Sequence, residues 1–154
     1  MATVNANTCA IYIDTAGGAF SADPADANAS TIDPVAFSTS ASISVNNSTF
    51  EATSVSDPSN ATTVRDFAVG TTSTSLSFEG VLDWTTAGDT VDVDAIFDAL
   101  IAKTKITAVW ASTDSNAQAY GGQGFLTSFE INSSVDDFAT YSASVELDGD
   151  PKKV

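Results

Sequence analysis

The chain has no histidine and a single cysteine, Cys9, so acid, base or ligand chemistry would rest almost entirely on its 20 acidic residues. Without an imidazole, Ser-His-Asp and Cys-His arrangements are excluded. One cysteine supplies no intramolecular disulfide, no cysteine zinc site and no Cys-x-x-Cys redox pair, and Cys9 reads as a small buried strand residue. Two groups of carboxylates remain: Asp89, Asp92, Asp94 and Asp98, and the adjacent pair Asp136 and Asp137. Either has the donor type for Ca²⁺ or for an acid and base pair. The first group lacks the glycine and terminal glutamate of an EF-hand loop, and helix capping accounts for Asp92 and Asp94. Neighbouring aspartates on a strand point to opposite faces, so Asp136 and Asp137 converge only in a turn, and a polar turn is the simpler account. No catalytic, metal or cofactor residue is assigned, and no cofactor is expected.

A chain of 154 residues with 43% hydrophobic content suffices for one well-buried core and a single domain over 1–154. The formal net charge is -15, from 20 acidic residues against Arg65, Lys103, Lys105, Lys152 and Lys153. That balance argues against binding nucleic acid by neutralising phosphates. The N-terminal MATVNANT lacks the basic start and apolar run of a signal peptide, and no apolar stretch approaches membrane-spanning length. A soluble protein made in the cytoplasm is the expectation. Asn-x-Ser/Thr triplets at Asn28, Asn46, Asn47, Asn60 and Asn132 carry no weight in a chain this rich in Asn, Ser and Thr.

Strand periodicity dominates. Residues 9–15 alternate through Ile11 and Ile13 before Gly17 and Gly18, and a polar loop runs to about Pro34. Over 37–46, Phe37, Thr39, Ala41, Ile43 and Val45 alternate with Ser38, Ser40, Ser42, Ser44 and Asn46, giving one hydroxylated face. Asn46, Asn47 and Ser48 read as a tight turn into a partner strand over 50–55, followed by a long connection over 56–71. Residues 74–84 place Leu76, Phe78, Leu82 and Trp84 opposite Ser75, Ser77, Glu79 and Asp83, with Gly80 read as a possible bulge site. In 121–149, Phe125, Phe129 and Ile131 alternate with Ser128, Glu130 and Asn132, with Leu126 and Thr127 as exceptions. After the acidic turn, Tyr141, Ala143, Val145 and Leu147 alternate with Thr140, Ser142, Ser144 and Glu146. The pair forms one side of a sandwich.

One helix is expected. Val93, Ile96, Phe97, Leu100 and Ile101 fall at i, i+3, i+4, i+7 and i+8, with Asp92 as N-cap and Asp94, Lys103 and Lys105 complementing the dipole. It should lie on the sheet or across a barrel end, before a strand over 106–111 containing Val109 and Trp110.

In this order the residues resemble the major tail proteins of long-tailed bacteriophages, the tail tube proteins. The matching stretches are Ala10 through Asp14, the Ser/Thr strand ending at Val45, Leu76-Ser77-Phe78-Glu79-Gly80, the helix, Gly124 through Phe129, and Asp136 through Gly149. The last is the most specific, an acidic turn leading into an aromatic-Ser strand that ends at a small residue. The resemblance implies a mainly β fold, a small β-sandwich or barrel with one flanking α-helix. Six copies close into a hexameric ring with a continuous β-barrel lumen, and rings stack into the tube that delivers the genome. It implies a structural virion protein of the tail, assembled in the host cytoplasm, with no catalytic residues. Its implied partners are tail tip, tail terminator and tape measure proteins.

Six copies at -15 each give -90 per ring, so DNA passing through would be repelled rather than specifically bound. Candidates for the lumen face are Ser38, Ser40, Ser42, Ser44, Glu51, Glu79, Ser128, Glu130, Ser142, Ser144 and Glu146. Alternation alone predicts these equally well as the solvated face of an ordinary sandwich. In the family the long loop after the second strand helps rings stack, and 56–71 matches it, with Arg65, Phe67 and Val69 as anchors or, equally, as residues tucked onto their own core. Residues 1–8 and 150–154 read as flexible arms. Two other readings stay open: an inner-tube protein of a contractile injection system, and a soluble carbohydrate-binding β-sandwich using Tyr12, Tyr120 and Trp84 as a stacking platform.

Overall fold

The alternating segments fold as antiparallel strands because each can bury one face and wet the other. The computed structural model describes residues 9–16, 33–35, 38–57, 62–83, 90–112 and 118–153. They form β1 (Cys9–Asp14), β2 (Asp33–Pro34), β3 (Ser38–Asp57), β4 (Thr62–Val81), α1 (Val93–Ala102), β5 (Ile106–Ser112), β6 (Tyr120–Asn132), β7 (Thr140–Leu147) and β8 (Lys152–Lys153). Phe37, Trp84, Asp89, the arm 1–8 and Val154 lie outside the described residues.

All strands belong to one sheet in the order β2-β1-β5-β6-β7-β4-β3, with β8 on β6. Gly124 is the changeover point. It pairs with Ile106 of β5 and with Leu147 of β7, so β6 serves β5 with its first residues and β7 with its last. β1 also lies against β3, so the sheet curls upon itself. Ile11, Ile13 and Ile106 from one half meet Leu76, Phe78 and Val145 from the other, and Val93, Ile96 and Ala99 of α1 join them. Burying each large apolar side chain contributes about 1.5–3 kcal/mol. A chain of rings ties helix to sheet: Phe97 to Phe129 at 5.8 Å, Phe129 to Tyr141 at 6.4 Å and Tyr141 to Phe78 at 6.4 Å. Such pairs add about 0.5–1.5 kcal/mol beyond their area.

The helix matches its expected span, and Asp92 occupies the N-cap with extended backbone, but its side chain makes no capping bond. Lys103 closes the C-terminus in the left-handed conformation at φ 54, its N–H donating to the Leu100 carbonyl at 3.2 Å. Cys9 begins β1 half-buried rather than buried.

The largest departure from the sequence reading is in β3 and β4. The expected turn at Asn46-Asn47-Ser48 is strand, and so are the described residues of the expected loop over 56–71, namely 56, 57 and 62–71, with pairing from Ser38 opposite Gly80 to Asp57 opposite Thr62. The turn-forming residues serve a bulge. Pairing slips between Asn47 and Thr49, and the Ser48 hydroxyl fills the break, accepting from the Thr71 N–H at 2.8 Å. The C-terminal arm also differs, since Lys152 and Lys153 pair with Gly121 and Tyr120.

Candidate functional site

The four strands β3, β4, β7 and β6 make a wall whose two faces are set by register. Residues directly opposite on antiparallel strands share a face. On the core side, Ile43, Leu76, Val145 and Leu126 form one cross-strand row, and Ala41, Phe78, Ala143 and Phe129 another. On the outer side the rows are Ser40, Glu79, Ser142 and Glu130, and then Ser42, Ser77, Ser144 and Ser128. A third row continues with Ser44, Ser75, Glu146 and Phe125.

Nine of the eleven residues singled out for a lumen thus stand together: Ser40, Ser42, Ser44, Glu79, Ser128, Glu130, Ser142, Ser144 and Glu146. Ser38 does not join them, because Thr39 is an extra residue between the pairs Ser38 with Gly80 and Ser40 with Glu79, and this bulge puts Ser38 out of phase. Glu51 does not either; it lies beyond the wall, opposite Phe67. Ser75 and Ser77 belong to the face. So does Phe125, which the alternation had grouped with Phe129 and Ile131. The cause is a second bulge at Thr127, between Leu126 and Ser128, which exchanges the faces of all later residues on β6. The Thr127 hydroxyl donates to the Ser144 carbonyl at 3.2 Å. The exceptions at Leu126 and Thr127 were the signal for this bulge.

The polar face carries Glu79, Glu130 and Glu146 and, over the segments 40–44, 75–79, 125–130 and 142–146, no Lys or Arg. A hollow of about 160 Å³ opens beside the Thr39 bulge, lined by Thr39, Glu79, Asn132, Thr140 and Tyr141.

Both sides of the wall end in backbone that no described strand pairs. β3 is terminal in the sheet, and among the described residues Phe125 to Asn132 pair with β7 alone. β3 and β6 run antiparallel to each other, because three antiparallel pairings separate them.

Past Thr74, where the pairing of β4 with β7 has ended, β3 and β4 continue as a two-stranded arm. Phe50, Phe67 and Val69 on it are 64%, 61% and 70% exposed, so Phe67 and Val69 do not tuck onto their own core. Arg65 lies opposite Thr53 by register. At the base of the arm the Thr74 hydroxyl is buried with no hydrogen-bond partner among the described residues.

The opposite end of the wall carries the β6–β7 turn. Asp136 and Asp137 sit in it, exposed, with the Asp137 carboxylate accepting from the Phe138 N–H at 2.8 Å. Among the described residues no three His, Cys, Asp or Glu side chains converge as a metal site, and no helix is long and apolar enough to cross a membrane. Lys105 is engaged by Asp148 at 2.7 Å, and that hydrogen bond holds the Asp148 carboxyl below its usual range. Tyr12 is half-buried beside Val109, and Tyr120 faces Trp110 at 6.2 Å, so these rings are packing residues rather than an exposed platform.

Among the described residues, one helix and a β wall with a cation-free polar face and two open edges give the subunit the means to assemble. The chain belongs to the phage tail tube protein family, whose model matches residues 20–153. It is a structural protein of the tail tube. Its fold is shared with the tail of an empty gene transfer agent particle refined with C6 symmetry, at TM-score 0.68 and 17% identity over 99% of both chains. The SPP1 tail tube matches at TM-score 0.67 and 15% identity, over 98% of this chain and 78% of that one. The anti-feeding prophage baseplate matches at TM-score 0.55 and 8% identity, over 100% of this chain and 96% of that one. No curated protein sequence matches the chain significantly.

Proposed function

We propose that six copies close into a ring by pairing the open edge of β3 with the open second half of β6 in the next copy. Rings then stack into the tube that conducts the genome. The observation that carries this reading is the wall itself. Its outer strands are antiparallel, so the joint between copies is antiparallel as well, and closure removes edges that would otherwise invite aggregation. Six four-stranded walls make a barrel of about 24 strands. The Ser and Glu rows face the lumen, where hydroxyls and carboxylates give a duplex nothing cationic to hold.

In this reading DNA passes without specific binding and no membrane is involved. Tail tip, terminator and tape measure proteins meet the tube, which assembles in the host cytoplasm and resides in the virion. The arm, rather than a loop, contacts neighbouring copies. The weaker likeness to the anti-feeding prophage baseplate leaves the inner tube of a contractile system as the second reading.

Negative-stain microscopy and light scattering of the concentrated protein test the proposal. Rings of six and hollow tubes are expected; a protein that stays monomeric at high concentration overturns it.

A further inference from the structure

We infer that the copies of a ring meet in one staggered register, with Ser44 of β3 opposite Glu130 of β6 in the next copy and Val45 opposite Phe129. The inference deepens the ring reading above and rests on it. Carrying the row Ser44, Ser75, Glu146 and Phe125 straight across the joint would set Ser44 of the next copy against Phe125 and leave the strands parallel to the tube axis. A closed barrel needs its strands tilted, by about 35–45°, and the tilt comes from stagger. Period two allows only an even stagger, since an odd one would set the Ser and Glu face of one copy against the core face of the next. Four strands span about 19 Å at about 4.8 Å each, so staggers of two, four and six residues tilt them by about 19°, 35° and 46° at about 3.3 Å per residue.

The direction follows from β5. It holds the edge of β6 up to Gly124, which pairs with Ile106, so the incoming strand slides toward Asn132. Four residues in that direction bring Ser42 to Asn132 and Asn47 to Leu126, with Thr127 again the extra residue. β3 pairs without a break from Ser40 to Asn47, so this joint falls within its regular stretch. A stagger of six would instead set the break at Ser48 against the middle of the joint.

The exposed apolar side chains agree. Val45, 50% exposed, lies on the core side at one edge of the wall, and Ile131, 46% exposed, lies on the same side at the other. Next to Ile131, Phe97 of α1 rests on Phe129 and is itself 46% exposed. The staggered register sets Val45 beside Phe97 and Ile43 beside Ile131, so the helix of one copy covers the joint with the next and buries apolar surface that a lone subunit leaves wet.

Disulfide trapping in the full-length protein tests this. A disulfide needs Cα atoms about 4.4–6.8 Å apart, which directly opposed residues satisfy and diagonal ones, at about 7–8 Å, do not. On mild oxidation of assembled protein, Ser44→Cys with Glu130→Cys should give a covalent ladder ending at six copies. It should form at least about tenfold faster than with Ser42→Cys or Asn46→Cys in place of Ser44→Cys. Ser44→Cys or Glu130→Cys alone, each beside the native Cys9, should give no such ladder. Val45→Asp should fold, by circular dichroism, yet form no rings. Faster trapping of a comparison pair, a ladder from one substitution, rings in which Ser44→Cys with Glu130→Cys stays unlinked, or rings formed by Val45→Asp would overturn the inference. Rings absent from the unaltered protein would instead overturn the ring reading itself.

Discussion

Gly124 is held against the backbone of Leu147 so closely that a methyl group on Gly124 would stand 2.8 Å from the Leu147 Cα. It would also meet the Glu146 carbonyl, and backbone on a paired strand cannot rotate aside as a side chain does. Gly124→Ala should therefore part β6 from β7 and cost about 2–3 kcal/mol in urea unfolding. A variant as stable as the parent would show that the two strands can separate at no cost.

Thr74 has the opposite sign. Its hydroxyl is sealed in the core with no partner among the described residues, so Thr74→Val removes a desolvation cost and keeps the shape. Stability should rise by about 1 kcal/mol, moving Tm up by about 2–4 °C. A fall in Tm would mean that the hydroxyl is satisfied in solution.

Burial pushes the Tyr141 phenol from 10.0 up to about 12. The folded protein keeps this proton where the unfolded chain releases it. The stability it contributes is complete below the unfolded value and is lost as pH climbs through the folded one. Two pKa units correspond to a loss on the order of 2 kcal/mol. Phenolate absorbance should show a late step near pH 12 that vanishes in Tyr141→Phe; an unchanged titration in that variant would assign the late step elsewhere.

Glu79 and Glu130 stand on one cross-strand row, each opposite Ser142. Exchanging both for lysine should leave the subunit fold and Tm nearly unchanged, because both are exposed. Assembled tubes should then retain duplex DNA in a salt-dependent manner that the parent does not show. Equal, negligible retention by parent and variant would place this face away from the DNA.

Much of the wall was legible in the sequence because burial on one side writes period two into it. β7 follows its expected alternation throughout, from Tyr141 to Leu147. The helix was legible for the corresponding reason at period 3.6. The arm was not, because its described apolar side chains Phe50, Phe67 and Val69 are exposed, and no alternation records a burial that does not occur. Phe50, Thr53, Val64, Phe67 and Val69 did carry the β-branched and aromatic bias of strands, which was the available signal. The Asn-Asn-Ser run misled because turns and bulges draw on the same side-chain-to-backbone hydrogen bonds. The face assignment failed where bulges intervene, at Ser38 and at Phe125, and at Glu51, which lies past the end of the four-stranded wall. The open edges could be seen only once the strand order was known.

The changeover at Gly124 makes one strand a member of both halves of the sheet. A pull on the wall therefore reaches the helix-bearing half along covalent bonds of the main chain, not merely across packed side chains. In a conduit that bends, the halves cannot slide apart at that seam without breaking β6 pairing, and the subunit yields elsewhere first. Within a single subunit the arm is the easiest part to bend, since among the described residues its two strands pair only with each other.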